Sequence, residues 1–192
     1  TLLTAMVRGG RPPLLVAHVH NVYQRSARWM RSADVVLCCG TSVRATMRAQ
    51  GVPDAKLRVV LNGTVGSPRL RRAEEVASAA IATPAIVTVA GMNARKGIDE
   101  LIAAFVRIAD RHPDAHLHLH GFQRDPMPFL RATDVFVLAS RRESSPIVIG
   151  EARAAGCAIV ATAVDGVPET LDDGRAGVLV PAQDVSALAE AL

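Results

Sequence analysis

The sequence predicts an α/β fold with two parallel sheets in two domains. Short apolar runs alternate with longer segments of helical periodicity along the whole chain, as is typical of a parallel sheet covered by helices. A polar, arginine-rich stretch over residues 67–75 lacks this periodicity and divides the pattern in two. The length of 192 residues suffices for one large or two small domains. We therefore predict domains over residues 1–66 and 85–192, joined by a linker over 67–84.

The first domain is predicted to contain three strands and one helix. The strand-like runs occupy residues 14–20, 34–39 and 57–61. The helix begins at Thr41 or Ser42, either of which is placed to cap it, and it ends at Gln50 before Gly51.

The second domain is predicted to contain five strands and four helices. The strand-like runs lie at residues 85–90, 115–120, 134–139, 158–162 and 178–180. Helical patterns cover residues 99–111, 128–132, 146–155 and 185 onward. Asp184 is placed to cap the last helix, and Gly156 to end the third.

The charge and the composition favour a small anionic ligand. The net charge is +4, the sequence pI is about 9.5, and no basic stripe interleaved with aromatic residues accompanies them. This argues against nucleic acid as a partner. It is compatible with anionic small molecules or with peripheral contact with an acidic membrane.

The cysteines and the lengths of the apolar runs indicate a reduced, cytoplasmic location, free or peripheral at the inner membrane face. Cys38, Cys39 and Cys157 form neither a disulfide framework nor a zinc-binding spacing. No apolar stretch reaches the roughly 20 residues that a membrane span requires. The N-terminus has no starting Met and no signal-peptide pattern, so we expect it to lie inside a longer protein.

Two glutamates follow the strand predicted at residues 134–139. Glu143 comes directly after this strand, and Glu151 lies within the helix that begins near Pro146. Because a helix N-terminus attracts phosphate, two carboxylates for sugar hydroxyls would flank an anion site. Taken alone, the pair is more typical of an exposed loop carboxylate and a helix-surface carboxylate.

A glycine-bearing loop at residues 91–97 follows another strand and opens a helix. Its backbone N–H groups, together with Arg95 and Lys96, suit a diphosphate. The glycine spacing matches neither a dinucleotide fingerprint nor a Walker loop, and an ordinary turn with two solvated cations is an equally good interpretation. A third polar loop, residues 165–169, is predicted at the same sheet edge, where ligands of open α/β sheets bind.

From residue 85 to residue 192 the chain resembles the C-terminal domain of family-4 glycosyltransferases, which are retaining, nucleotide-sugar-dependent enzymes of the GT-B fold. The resemblance is carried by the 91–97 loop, by Glu143 and Glu151 with seven residues between them, and by three later segments, 151–156, 166–169 and 173–181. Residues 14–64 resemble the back part of the N-terminal domain of the family. The fold implied is GT-B type, with two Rossmann-like parallel-sheet domains of which the N-terminal one is incomplete.

The resemblance implies a role for each matching position. Lys96 would contact the donor diphosphate, Glu143 would lie beside the donor sugar, and Glu151 would bind the ribose hydroxyls. The implied donor-binding residues are Arg95, Lys96, Glu143, Ser144, Ser145, Pro146, Ile147 and Glu151. The catalytic residues would be Glu143 and His20, the latter making a contact on the acceptor or sugar side. The family needs no cofactor and typically no metal.

Departures from the family pattern put activity of the isolated chain in doubt. Met92 stands where the family usually has an arginine, although Arg95 can compensate from the far side of the loop. A helix and a strand of the family are missing between Gly121 and Pro128, and the chain begins after the N-terminal glycine-rich loop of the family. We therefore expect weak or absent turnover by these residues alone.

The histidines form two groups. His18 and His20 share a face at the end of a strand, where His20 has either the polar contact named above or a structural role. His116, His118 and His120 alternate along another strand, with neighbouring Cα atoms about 7 Å apart. A pair of them could bind zinc, but no third ligand is evidently placed, so the prediction is a polar strand face and no metal.

The leading hypothesis is a retaining glycosyltransferase that moves a sugar from a UDP- or GDP-type donor to an acceptor hydroxyl of a glycan, lipid or small molecule. One alternative is a GT-B-fold nucleotide-sugar 2-epimerase, which would share the nucleotide pocket. Another is a non-catalytic nucleotide-sugar-binding remnant or scaffold subunit.

Overall fold

The protein consists of two units, each built around its own sheet. The computed structural model describes residues 2–4, 14–23, 27–63 and 73–192. Among these, the first unit comprises the residues up to Asn62 together with Glu143–Ser145. The second unit comprises Gly63–Arg142 and Pro146–Leu192.

The first unit contains a four-stranded sheet in the order β1-β2-β3-β4. The strands are β1 (Leu2–Thr4), β2 (Leu15–Val19), β3 (Val35–Cys38) and β4 (Leu57–Val59). Strands β2 to β4 are parallel, and β1 pairs antiparallel with β2. Helix α1 (Thr41–Ala49) buries Val43 and Met47 in the core of this unit.

The second unit contains a five-stranded parallel sheet in the order β6-β5-β7-β8-β9. The strands are β5 (Ala85–Val89), β6 (His116–His120), β7 (Val135–Leu138), β8 (Ala158–Thr162) and β9 (Val178–Val180). The helices are α2 (Ile98–Ala109), α3 (Met127–Leu130), α4 (Ile147–Ala155), α5 (Val167–Thr170) and α6 (Val185–Ala191).

Helices cover both faces of this second sheet. Every residue of β5 is buried, as expected for a central parallel strand that reads as a continuous apolar run. Successive β5 residues point to opposite faces, so Ile86 joins the core beneath α2 and α6, whereas Val87 joins the core beneath α3 and α4. The result is a doubly wound α/β unit, which confirms the predicted fold class.

The predicted elements agree with the structure except at a few ends. The cap predicted for α1 was wrong: Gly40, in extended backbone, holds the N-cap position, and Thr41 and Ser42 already lie in the first turn. Strand β4 ends at Val59, two residues earlier than predicted. The cap of α6 is confirmed, because Asp184 Oδ1 accepts a hydrogen bond of 2.9 Å from the Ala187 N–H.

Part of the predicted linker over residues 67–84 lies outside the described residues, which resume at Ala73. The segment that follows packs on the second unit. Val76 is buried, the Ala79 N–H donates to the Pro128 carbonyl at 2.7 Å, and His118 Nε2 lies 2.9 Å from the Ala82 carbonyl oxygen. Within the described residues, no helix is both long and apolar enough to cross a membrane.

Candidate functional site

Three loops of the second unit meet at the carboxyl-terminal edge of its sheet. They follow β5, β7 and β8, and they span residues 90–97, 139–146 and 163–166. All five strands are parallel, so their carboxyl ends lie at one edge, where open α/β sheets bind ligands. A separate cavity of about 330 Å³ beside Pro84 and Ala115 lies at the opposite edge.

The loop after β5 is held in shape by its own backbone. Asn93 caps the short 3-10 turn Ala94–Lys96: its Oδ1 accepts from the Arg95 N–H at 3.2 Å, and its carbonyl accepts from the Lys96 N–H at 2.9 Å. Gly97 then adopts a left-handed φ of +61°. A Cβ at this position would collide with the Ala139 carbonyl oxygen, so only glycine lets the loop pack against the end of β7.

Arg141 ties this loop to the loop after β7. Its N–H donates to the Arg95 carbonyl at 2.8 Å, and its guanidinium reaches Glu100 Oε1 at 2.7 Å and Asp99 Oδ2 at 2.6 Å, in the first turn of α2. The hydrogen bonds from Glu100 and Arg141 lower the pKa of Asp99, and those from Glu100 and Asp99 raise the pKa of Arg141. Arg95 and Lys96 are thereby held at the sheet edge.

The loop after β8 is joined to the same assembly. Arg142 Nε donates to Asp165 Oδ2 at 2.9 Å, and Asp165 adopts a positive φ of 44°. The buried Thr162 hydroxyl donates to the Leu138 carbonyl at 3.3 Å and also to the Ser140 carbonyl. The three loops therefore form one hydrogen-bonded rim.

The two glutamates are buried rather than displayed at the surface. Glu143 is 7% exposed and Glu151 is 2% exposed, which disagrees with the interpretation as solvated surface carboxylates. Glu151 lies on α4, which begins after Pro146 as its N-cap and ends at Gly156 in the left-handed conformation. Ile147, the first residue of the helix, is 42% exposed.

The segment Glu143–Ser145 packs within the first unit. Ser144 Oγ accepts from the Val22 N–H at 2.9 Å, and the Ser145 carbonyl accepts from Asn62 Nδ2 at 3.0 Å. The backbone of this segment is thus fixed by specific hydrogen bonds. Sequence patterns do not predict them, because the partners lie 83 or more positions away.

His18 and His20 share a face of the first unit, as predicted. Their ring centroids are 3.8 Å apart, and His20 is exposed at the end of β2. His18 Nε2 is buried and has no hydrogen-bond partner among the described residues. Burial, followed by the neighbouring His20, lowers the pKa of His18 from its ordinary value.

Acidic pH should destabilise the protein through His18. Because its folded-state pKa is depressed, the unfolded chain binds the proton more readily, so this contribution to stability is complete above about pH 6.5 and is lost at lower pH. We expect the melting temperature to fall between about pH 7 and about pH 5, and His18→Gln to reduce that fall. His112→Gln, at an exposed position, is the control; equal pH profiles for the two variants would contradict the assignment.

The structure brings together only part of the predicted set. Arg95 and Lys96 lie on the rim with Arg141 and Arg142, which lead directly into Glu143. Neither arginine was assigned a role from the sequence, although charges directly after a buried strand were the available signal. Met92, at the position where the family has an arginine, is 51% exposed.

The three histidines of β6 lie along one face, with centroid separations of 6.2 Å between His116 and His118 and between His118 and His120. His120 packs on Phe129 at 4.0 Å. In the described part of the chain, no three or more His, Cys, Asp or Glu side chains are grouped to hold a metal ion.

Comparisons with known proteins agree with this geometry. Residues 115–192 match the model of the family described as Glycosyl transferases group 1. The chain is 27% identical over 195 aligned residues to the lipopolysaccharide core biosynthesis glycosyltransferase LpsE of Rhizobium meliloti, a match covering 88% of the chain and 56% of that protein. It is 31% identical to the D-inositol 3-phosphate glycosyltransferase of Corynebacterium kroppenstedtii, covering 70% of the chain and 39% of the relative. The chain therefore spans about half the length of these relatives or less.

Solved structures show the same fold at low sequence identity. Anabaena HepE in complex with UDP and glucose superposes with a TM-score of 0.73 at 18% identity, covering 92% of this chain and 60% of that chain. Staphylococcus aureus TarM, in a complex with UDP, Fondaparinux and α-GlcNAc-glycerol, gives a TM-score of 0.73 at 13% identity, covering 92% and 42%. The family match and these structural neighbours support a glycosyltransferase with two parallel-sheet α/β domains.

Proposed function

We propose that the protein is a retaining glycosyltransferase of the family-4 type, which transfers a sugar from a UDP- or GDP-sugar to an acceptor hydroxyl. The observation that carries this proposal is the pair of buried carboxylates, Glu143 and Glu151, on either side of the start of α4. A buried carboxylate is costly unless it is paired or hydrogen-bonded, so two of them beside a loop that presents cations favour a polar ligand. The match of residues 115–192 to the group 1 glycosyl transferases supports the same conclusion.

The rim suits the diphosphate of the donor. Arg95 and Lys96 are held at the sheet edge by the Arg141 contacts, and α4 directs its unsatisfied N–H groups outward from Pro146. Positive charge at fixed positions would stabilise a nucleoside diphosphate as a leaving group without a metal ion. UDP bound to HepE, a protein of the same fold, supports this choice of ligand.

The remaining roles follow the chemistry of each side chain. Glu151 would accept hydrogen bonds from the ribose hydroxyls, and Glu143 would lie beside the donor sugar. The backbone of residues 144–147 would hold sugar or phosphate oxygens. His20 would make a polar contact on the acceptor side. In the proposed reaction the acceptor oxygen attacks from the face that the diphosphate leaves, and the departing phosphate takes the acceptor proton, so the anomeric configuration is retained.

Donor cleavage provides the direct test of this function. The chain would be incubated with UDP-glucose or GDP-mannose, and the anomeric proton of the first-formed sugar followed by NMR. We expect slow donor consumption that yields the anomer of the donor, and at least a tenfold slower reaction for Glu143→Gln, a loss of about 1.4 kcal/mol or more of transition-state stabilisation. Glu190→Gln, at an exposed carboxylate of α6, is the matched control.

The outcomes separate the alternatives. An inverted first product would contradict retention. Epimerised nucleotide-sugar without release of free sugar would indicate a 2-epimerase. Binding of UDP with no donor consumption would indicate a non-catalytic protein, an alternative favoured by the exposed Met92 in place of an arginine.

A further inference from the structure

The charge of the chain is divided unevenly between its two parts. Residues 1–62 contain nine Lys and Arg against two Asp, a formal charge of +7. Residues 63–192 contain 13 Lys and Arg against 16 Asp and Glu, a charge of −3. The modest overall charge of +4 therefore conceals a strongly basic first unit, and such an asymmetry points to an anionic partner for that unit alone.

The basic side chains of this unit are joined by short contacts into one surface. Lys56 Nζ donates to the Arg31 carbonyl at 3.0 Å, and the Arg31 guanidinium lies beside Gly51, just after α1. On α1 itself, Arg44 and Arg48 line a depression of about 460 Å³, with Asp54 on its rim. We call this surface the basic face; its residues are Arg28, Trp29, Arg31, Arg44, Arg48, Lys56 and Arg58.

The acidic residues near the basic face do not neutralise it. Asp54 pairs with Arg44 at 2.7 Å, and Asp34 accepts a hydrogen bond from the Leu15 N–H at 2.8 Å. Six cationic side chains thus face two carboxylates. The Arg58 guanidinium folds back onto the Ala55 and Leu57 carbonyls, so its charge also lies at the edge where β4 begins.

Trp29 gives the basic face an apolar anchor. It is the single tryptophan of the chain, its side chain is 68% exposed, and the Arg28 guanidinium carbon lies 5.8 Å from its ring centroid. A tryptophan so exposed loses no favourable packing when it enters a lipid headgroup region, where its amphipathic ring is preferred. Flanking arginines add attraction to anionic headgroups.

We propose that the basic face docks on the surface of an anionic phospholipid bilayer, with Trp29 entering the headgroup region and the arginines contacting lipid phosphates. The basic face lies where β3 and β4 begin, whereas ligands of such sheets bind where parallel strands end. Docking therefore leaves the carboxyl-terminal edge of this sheet open. Nucleic acid is less well matched, because Trp29 is the one strongly exposed aromatic side chain of the described basic face and no stacking series accompanies it.

The single tryptophan makes the inference directly measurable. The full 192-residue chain would be titrated with vesicles of equal parts phosphatidylglycerol and phosphatidylcholine, and Trp29 emission recorded. We expect a blue shift that saturates with lipid and disappears in about 1 M NaCl, where the Debye length falls to about 3 Å. Pure phosphatidylcholine vesicles should leave the emission unchanged.

Charge variants locate the contact. The double variant Arg31→Gln with Arg48→Gln should weaken binding about tenfold or more, because each basic residue near an anionic surface contributes substantially. The double variant Arg111→Gln with Arg124→Gln removes the same charge from exposed positions of the second unit and should bind as the parent does.

Several results would overturn the proposal. They are equal weakening by the two double variants, sedimentation with vesicles without a change in Trp29 emission, and tighter binding to a single-stranded oligonucleotide than to anionic vesicles at physiological salt. Because no nucleotide-sugar is present in these measurements, failure here is distinguishable from failure of the glycosyltransferase assignment.

Discussion

Saturating UDP or GDP raises the melting temperature of the chain by about 5 °C or more, if the rim and the buried carboxylates form the donor site. A ligand at 100 times its Kd stabilises the folded state by about 2.7 kcal/mol. In a protein of this size each kcal/mol corresponds to about 2–4 °C. Differential scanning fluorimetry with and without nucleotide measures the shift.

Glu151→Gln is expected to remove most of this shift. Glu151 is 2% exposed, so its carboxylate is desolvated, and a hydrogen bond from a ribose hydroxyl to it is charge-assisted, worth about 1.5–3 kcal/mol. Affinity should fall about tenfold to 100-fold. Glutamine keeps the shape of the side chain and is less disruptive than alanine at this buried position. Glu190→Gln should retain the shift, and an unchanged shift in Glu151→Gln would remove Glu151 from the ribose site.

Gly97→Ala is expected to destabilise the protein by more than about 3 kcal/mol, the largest effect of any single methyl group considered. Two costs combine here. The left-handed φ of +61° disfavours any side chain, and the new Cβ would collide with the Ala139 carbonyl oxygen. The loop that holds Arg95 and Lys96 would have to move away from the end of β7. Chemical denaturation measures the loss, and nucleotide binding should decline with it.

Two other glycines separate these costs. Gly156 has a φ of +82° but open space around its Cβ position, so Gly156→Ala should cost about 1 kcal/mol. Gly121 has neither constraint, and Gly121→Ala should change stability by less than about 0.5 kcal/mol. A Gly97→Ala variant as stable as Gly121→Ala would show that the close approach to Ala139 is not maintained in solution.

Local patterns predicted most elements of the fold. Strands β8 and β9 have the predicted limits, and α6 begins at the predicted cap, because continuous apolar runs and capping residues act within a few positions. Strand β1 was not predicted, since its three residues are a strand only through pairing with β2. The four-residue helix α5 was also missed, because Val167–Thr170 is too short to show a helical period.

The candidate site was predictable in its carboxylates but not in its supports. Glu143 and Glu151 stand out through their spacing, and both are buried. The clamp formed by Arg141 joins residues about 40 positions apart, and the Ser144 hydrogen bond joins residues 122 positions apart. Such contacts depend on the sheet order and on the packing of α2, neither of which is encoded in local periodicity.

The start of α4 has a consequence for its sequence spacing. Pro146 fixes where the helix begins, and each residue advances the helix by about 100°. One alanine inserted after Ile147 would therefore rotate Glu151 about a quarter turn away from its buried direction, even though both glutamates would still be present. The same insertion after Gly156, beyond the end of the helix, would leave that direction unchanged. The seven residues between Glu143 and Glu151 therefore set an angle as well as a distance.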